Sequence, residues 1–216
     1  MAAGRQPIPA APLRFITFEG GEGAGKSTQI RSLAESLRAT GAGVTITREP
    51  GGTPGAEQIR ALLVEGAAGR WQAESEALLH FAARAEHLAH VVRPALAAGD
   101  WVLCDRFADS TIAYQGYGQG IDLAWLWTLR RHIVGDTEPG LTILLDLPVE
   151  TGLARAETEQ RYERMGLDFH RRLAEGFRAI AAADPERCRT IDAGGDVAGI
   201  AAAIRALVTA RYAVTL

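Results

Sequence analysis

Between Gly20 and Thr28 the chain reads GGEGAGKST, which puts glycines, one lysine and two hydroxyls at the spacing of a Walker A loop. Glycines there let backbone N–H groups converge on phosphate oxygens, and the helix that follows adds partial positive charge. Lys26 then reaches the outer phosphates, and the Ser27 hydroxyl is offered to Mg²⁺. The expected ATP cradle is therefore Gly20, Gly21, Glu22, Gly23, Ala24, Gly25, Lys26, Ser27 and Thr28. Lys26 is the only lysine in the chain, every other cationic side chain apart from histidine being arginine. Glu22 stands out in this loop, because a carboxylate facing a triphosphate is electrostatically penalised. Its side chain is expected to turn away from ATP and toward a second ligand.

A second cluster lies in CDRFADS, where Asp105 closes the apolar run WVLCD and Arg106 follows directly. An acid at a strand end suits a Walker B-like metal partner, so Ser27 and Asp105 are the expected metal residues. Arg106 directs a cation to the same edge and points to a second anion beside ATP. The chain has no NKxD guanine-reading tetrapeptide and no room for the long second domain of a motor.

These residues need a scaffold that holds strand ends together. Apolar runs at 14–19, 43–47, 101–105 and 141–146, with a weaker one at 188–192, each end in a polar or acidic residue. Continuous apolar runs fit strands covered on both faces of a parallel sheet. Helical patterns follow at 26–40, 55–64, 73–98, 123–134, 149–158, 166–183 and 196–211, with Pro94 expected to kink or divide the third. Repeated strand–helix units predict a doubly wound α/β sheet with ligands at the carboxyl ends of its strands.

Bulk properties fit one domain. Of 216 residues, 47% are hydrophobic and 23% charged, and the net charge of −3 opposes a broad electrostatic grip on nucleic acid or anionic membrane. The proline-bearing start, 1–12, reads as a flexible leader and 13–216 as the folded domain. Cys104 and Cys188 have no metal-like spacing, and Cys104, in the run WVLCD, reads as a buried reduced thiol; the start has no apolar h-region, so the expected compartment is the cytoplasm.

With TREPGGT at 47–53, FAARAEH at 81–87 and DRFADSTIAYQG at 105–116 added to the phosphate loop, the sequence resembles bacterial thymidylate kinases from Phe15 to the final helix. That resemblance implies a P-loop nucleoside monophosphate kinase fold with a five-stranded parallel sheet and a small arginine-bearing lid at about 155–166. It further implies transfer of the γ-phosphate of ATP to dTMP, with Mg²⁺, in a homodimer. By the same resemblance Arg48 and Arg106 grip the acceptor phosphate, and Arg84 meets the thymine edge with Ser110 and Gln115; EPGG on its own reads as a turn in which Glu49 orients Arg48. Glu22 is assigned the 3′-hydroxyl and Tyr114 the sugar. Two rings share a helical face with Arg84 and could stack on the base, Phe81, preferred for its apolar ring, and His80. Because the phosphate loop carries no arginine, the catalytic arginine is sought in the lid among Arg155, Arg161 and Arg164, with Arg161 preferred. Lys26, Arg48, Arg106 and Arg161 then neutralise the moving phosphoryl group. The competing readings are another P-loop deoxynucleoside or nucleotide kinase and a regulatory P-loop ATPase.

Overall fold

The structure is a computed structural model that describes residues 12–67, 69–155, 162 and 164–216. The expected leader, apart from Pro12, and most of the expected lid, Arg161 included, lie outside the described residues. Five strands, β1 (Phe15–Glu19), β2 (Val44–Arg48), β3 (Trp101–Asp105), β4 (Leu141–Asp146) and β5 (Cys188–Asp192), form one parallel sheet in the order β2-β3-β1-β4-β5. All five apolar runs read from the sequence are strands. β1, β3 and β4 are almost wholly buried, whereas β2 at the edge leaves Ile46 exposed.

Alternation along β1 divides its side chains between two layers. Ile16 and Phe18 join the core under α1 (Lys26–Ala39) and α9 (Val197–Tyr212). Phe15 points to the opposite face, edge-on to Phe107 at 4.9 Å. That face is covered by α3 (Ala73–His87), α4 (Arg93–Ala97), α5 (Ala108–Thr111), α6 (Leu123–Val134) and α8 (Leu167–Ala183). Two further helices, α2 (Pro54–Val64) and α7 (Val149–Arg155), flank the carboxyl ends of the strands. Local chemistry sets several starts: Thr53 accepts the Ala56 N–H at 3.0 Å with Pro54 in the first turn, and Asp196 caps α9 through the Gly199 N–H.

One helical stretch is interrupted at Pro94 as the sequence leads one to expect, and another differs from the sequence expectation. The single helix expected over 73–98 is α3, a π-helical turn at Leu88–Val92, and then α4. Pro94 lacks an N–H and its ring crowds the carbonyl one turn earlier, so the widened turn forms just before it. Residues 108–118, which have no expected helix, form α5 and a second π-helical turn at Ile112–Gly118. Gly116 and Gly118 obscure this helix in the sequence. Yet a Cβ on Gly116 would meet Leu123 at 2.5 Å, and one on Gly118 would meet Phe169 at 2.5 Å. Close packing with its neighbours outweighs the low helix propensity of glycine.

Candidate active site

The phosphate loop joins β1 to α1 along the end of β4. Gly20 has φ 133°, and a Cβ there would run into the Leu145 carbonyl oxygen, so only glycine fits. Gly23 (φ 65°) meets Gly152 of α7 just as closely. Lys26 donates to the Gly20 and Gly21 carbonyls at 3.1 and 2.8 Å. Burial and the nearby Arg106 charge pull its pKa down to about 8. Because β1 and β3 are neighbours, the Ser27 hydroxyl lies 2.8 Å from the Asp105 carboxylate, to which it donates.

A cleft of about 430 Å³ extends from this loop across the strand ends. Its phosphate-loop wall is Glu22, Gly23, Ala24, Gly25, Lys26, Ser27 and Thr28; Gly20 and Gly21 lie behind it. Facing them are Arg48, Asp105 and Arg106, and farther along come Arg84, Ser110, Tyr114 and Gln115. His80 lines the cleft, whereas Phe81 is buried beneath, with the Arg84 guanidinium 4.9 Å from its ring centre. Adjacent residues on a helix point about 100° apart, so only one of the two can face the opening.

Glu22 turns out of the phosphate cradle. It accepts from Arg106 Nη2 at 2.9 Å and from the Tyr114 hydroxyl at 2.5 Å. Burial pushes its carboxyl pKa up, but Arg106 and Lys26 outweigh that and hold it down at about 2. Arg106 is itself pinned, with Nη1 donating to the Gly20 carbonyl at 2.9 Å and the guanidinium 5.1 Å from the Tyr114 ring centre. Its backbone has φ 67°, an uncommon conformation for an arginine.

Glu49 does not orient Arg48. Glu49 is buried, accepting from Arg84 Nε and bonding His87 Nδ1, each at 2.8 Å, and His87 continues to Thr47 at 2.7 Å. Arg48 instead pairs with Glu57 at 3.0 Å on the exposed rim. The reason is alternation along the chain, which sends neighbouring residues at the end of β2 in opposite directions. Arg84 also donates through Nη2 to Thr111 at 3.0 Å.

Two residues in or behind the cleft wall escape the sequence reading, Arg60 in it and Glu19 buried behind it. Arg60 of α2 reaches the wall beside Arg48, tied to the Pro50 carbonyl at 2.8 Å. Nothing local in EQIR marks it; only the packing of α2 brings it there. Glu19 had a signal, being an acid that ends an apolar strand. Fully buried, it accepts from the Phe107 N–H at 2.8 Å and the Ser110 hydroxyl at 2.6 Å. Burial and the Asp109 charge raise its pKa to about 7. Two buried cleft atoms, Arg84 Nη1 and Gln115 Oε1, have no hydrogen-bond partner among the described residues. One is a donor and the other an acceptor, which a bound molecule would have to satisfy.

A phosphate loop on β1, an acid at the end of β3 and an arginine-lined cleft over the sheet define a P-loop enzyme of the nucleoside monophosphate kinase class. A sequence model of thymidylate kinase matches residues 18–204, and thymidylate kinases of Caulobacter vibrioides and Magnetococcus marinus are 54% and 52% identical to this chain. The chain belongs to the thymidylate kinase family. Those two alignments cover 91% and 94% of this chain and 96% and 98% of the relatives. The crystal structure of a thymidylate kinase from Ehrlichia chaffeensis superposes with a TM-score of 0.74 at 36% identity, over 90% of this chain and 97% of that one.

Proposed function

We propose that this protein transfers the γ-phosphate of ATP to the 5′-phosphate of dTMP, giving dTDP and ADP. The observation that carries this reading is one continuous cleft with a phosphate loop at one end and an unpaired donor and acceptor, Arg84 Nη1 and Gln115 Oε1, at the other. Thymine presents a carbonyl beside a ring N–H, the complement of that pair. Between the two ends, Arg48 and Arg106 take the acceptor phosphate, a pairing that guanidinium forks suit. Glu22, held by Arg106 and Tyr114, accepts from the 3′-hydroxyl, and Tyr114 closes over the deoxyribose. Ser110 adds a polar contact near the base. His80, on the cleft wall, is favoured over Phe81 as the ring against the base.

The acceptor is already an anion, so the reaction needs alignment and charge neutralisation rather than a strong base. Lys26 draws the outer phosphates of ATP toward the acceptor, while Arg48 and Arg106 hold the attacking phosphate in line. Arg161, outside the described residues, is assigned the lid charge that meets the transferring group. Ser27 and Asp105 fit Mg²⁺, because they supply two hard oxygen donors in contact and leave the remaining positions to phosphate and water. Bound there, Mg²⁺ would neutralise charge on the β- and γ-phosphates. The protein acts as a cytoplasmic homodimer without nucleic-acid or membrane partners. Its two free buried cysteines accord with a reducing compartment, and no described helix is long and apolar enough to cross a membrane.

ADP release measured over dTMP, dUMP, dCMP, UMP and thymidine tests the reading. The expected order has dTMP highest and thymidine near background, because thymidine lacks the anion that the arginines hold. Equal rates with thymidine and dTMP would make the protein a nucleoside kinase. Slow hydrolysis unaffected by dTMP would make it a regulatory ATPase.

A further inference from the structure

The side-chain amide of Gln115 has two chemically opposite ends, and whichever faces the cleft decides which base edge can pair there. Gln115 Nε2 donates to Glu76 Oε1 at 2.9 Å, and Gln119 Nε2 donates to the same oxygen at 2.7 Å. Glu76 is fully buried on α3, behind the cleft wall and not part of it. Two amide NH₂ groups converging on one carboxyl oxygen make that oxygen an acceptor. It therefore draws the NH₂ end of Gln115 toward itself and leaves the carbonyl end, Oε1, as the unpartnered acceptor.

The donor opposite is fixed in a similar way. Glu49 takes Arg84 Nε and Thr111 takes Nη2, so Nη1 alone remains to be satisfied. A thymine or uracil edge, with a carbonyl beside an N–H, satisfies both atoms. A cytosine edge sets its ring nitrogen, an acceptor, against Gln115 Oε1 and its amino group, a donor, against Arg84.

We infer that Glu76 is a positioning residue for base selection: by accepting from Gln115 it sets the polarity of the amide and so rejects cytosine nucleotides. This rests on dTMP being the acceptor. Glu76→Gln keeps the shape but introduces an amide that can donate as well as accept, so Gln115 is free to turn over. Glu76→Asp keeps an acceptor-only group.

The test measures kcat and KM for dTMP, dCMP and ATP in the wild type, Glu76→Gln, Glu76→Asp, Gln115→Met and the double variant Glu76→Gln with Gln115→Met. For Glu76→Gln the dTMP-to-dCMP ratio of kcat/KM should fall on the order of tenfold, through a higher KM for dTMP, with the KM for ATP changed by less than about twofold. Glu76→Asp should retain the ratio. In the Gln115→Met background, Glu76→Gln should change the ratio no further, because the two residues act as one unit. A wild-type ratio in Glu76→Gln, equal loss in Glu76→Asp, or an undiminished effect without Gln115 would each overturn the role of Glu76. A wild type that does not prefer dTMP would overturn the proposed function as well, so the two failures are distinguishable.

Discussion

Glu22 stands in the phosphate loop but turns its side chain to Arg106 and Tyr114. Backbone amides and Lys26 make the phosphate cradle, so the carboxylate is free to face the other way, where it holds Arg106 and Tyr114. With its pKa at about 2 it is ionised throughout the neutral range, and its attraction for Arg106 is a standing feature of the site. Glu22→Gln keeps the shape and removes the charge. The KM for dTMP should rise roughly 10- to 100-fold, in line with hydrogen bonds to charged groups worth about 1.5–3 kcal/mol, while the KM for ATP stays near wild type. Steady-state kinetics with each substrate varied in turn would check this, and equal loss for both would reject it. The position of Glu22 is legible in the sequence because its charge conflicts with its surroundings. The partnership of Glu49 with Arg84 is not, because it depends on which way two adjacent side chains leave the end of a strand.

At the scale of elements, the short helix α5 decides where Ser110 and Thr111 sit. Asp109 anchors it from the far side. This buried carboxylate pairs with Arg130 of α6 and with Arg187, the latter at 2.5 Å; Arg187 also donates to Thr142 of β4 at 2.7 Å. Despite burial, Arg130 and Arg187 hold the Asp109 carboxyl well below the usual carboxylate range. Asp109→Asn removes the charge that Arg130 and Arg187 share, and because each keeps one other carboxylate, Glu138 and Asp184, the cost should be about 3 kcal/mol, the low end for breaking a buried pair. For a chain of this length the Tm should drop on the order of 10 °C, readable by calorimetry. A drop below about 2 °C would mean that the clamp does not hold α5. Strands of this fold are legible as apolar runs ending in polar or acidic residues, but 108–118 is not legible as helix. Its glycines argue locally against one, and only the neighbouring α6 and α8 show why they are there.

For the whole molecule, Leu62 of α2 and Leu78 of α3, two helices packed on one another, are exposed at 38% and 49%. Exposed leucines on two helices that pack together suit a subunit interface. Light scattering should therefore give twice the 23.0 kDa chain mass, and Leu78→Glu should shift it toward the monomer. An unchanged dimer in that variant would move the interface elsewhere. The sequence by itself determined the phosphate loop, the five strands and the motifs of the family, because each is a local pattern of residue type and spacing. Tertiary structure decided what those patterns face. Setting β1 beside β3 brings Ser27 to Asp105, the rotation of α3 turns His80 and not Phe81 to the cleft, and buried Glu76 orients Gln115. Those outcomes depend on residues far apart in the chain, whose contacts exist only once the helices have closed over the sheet.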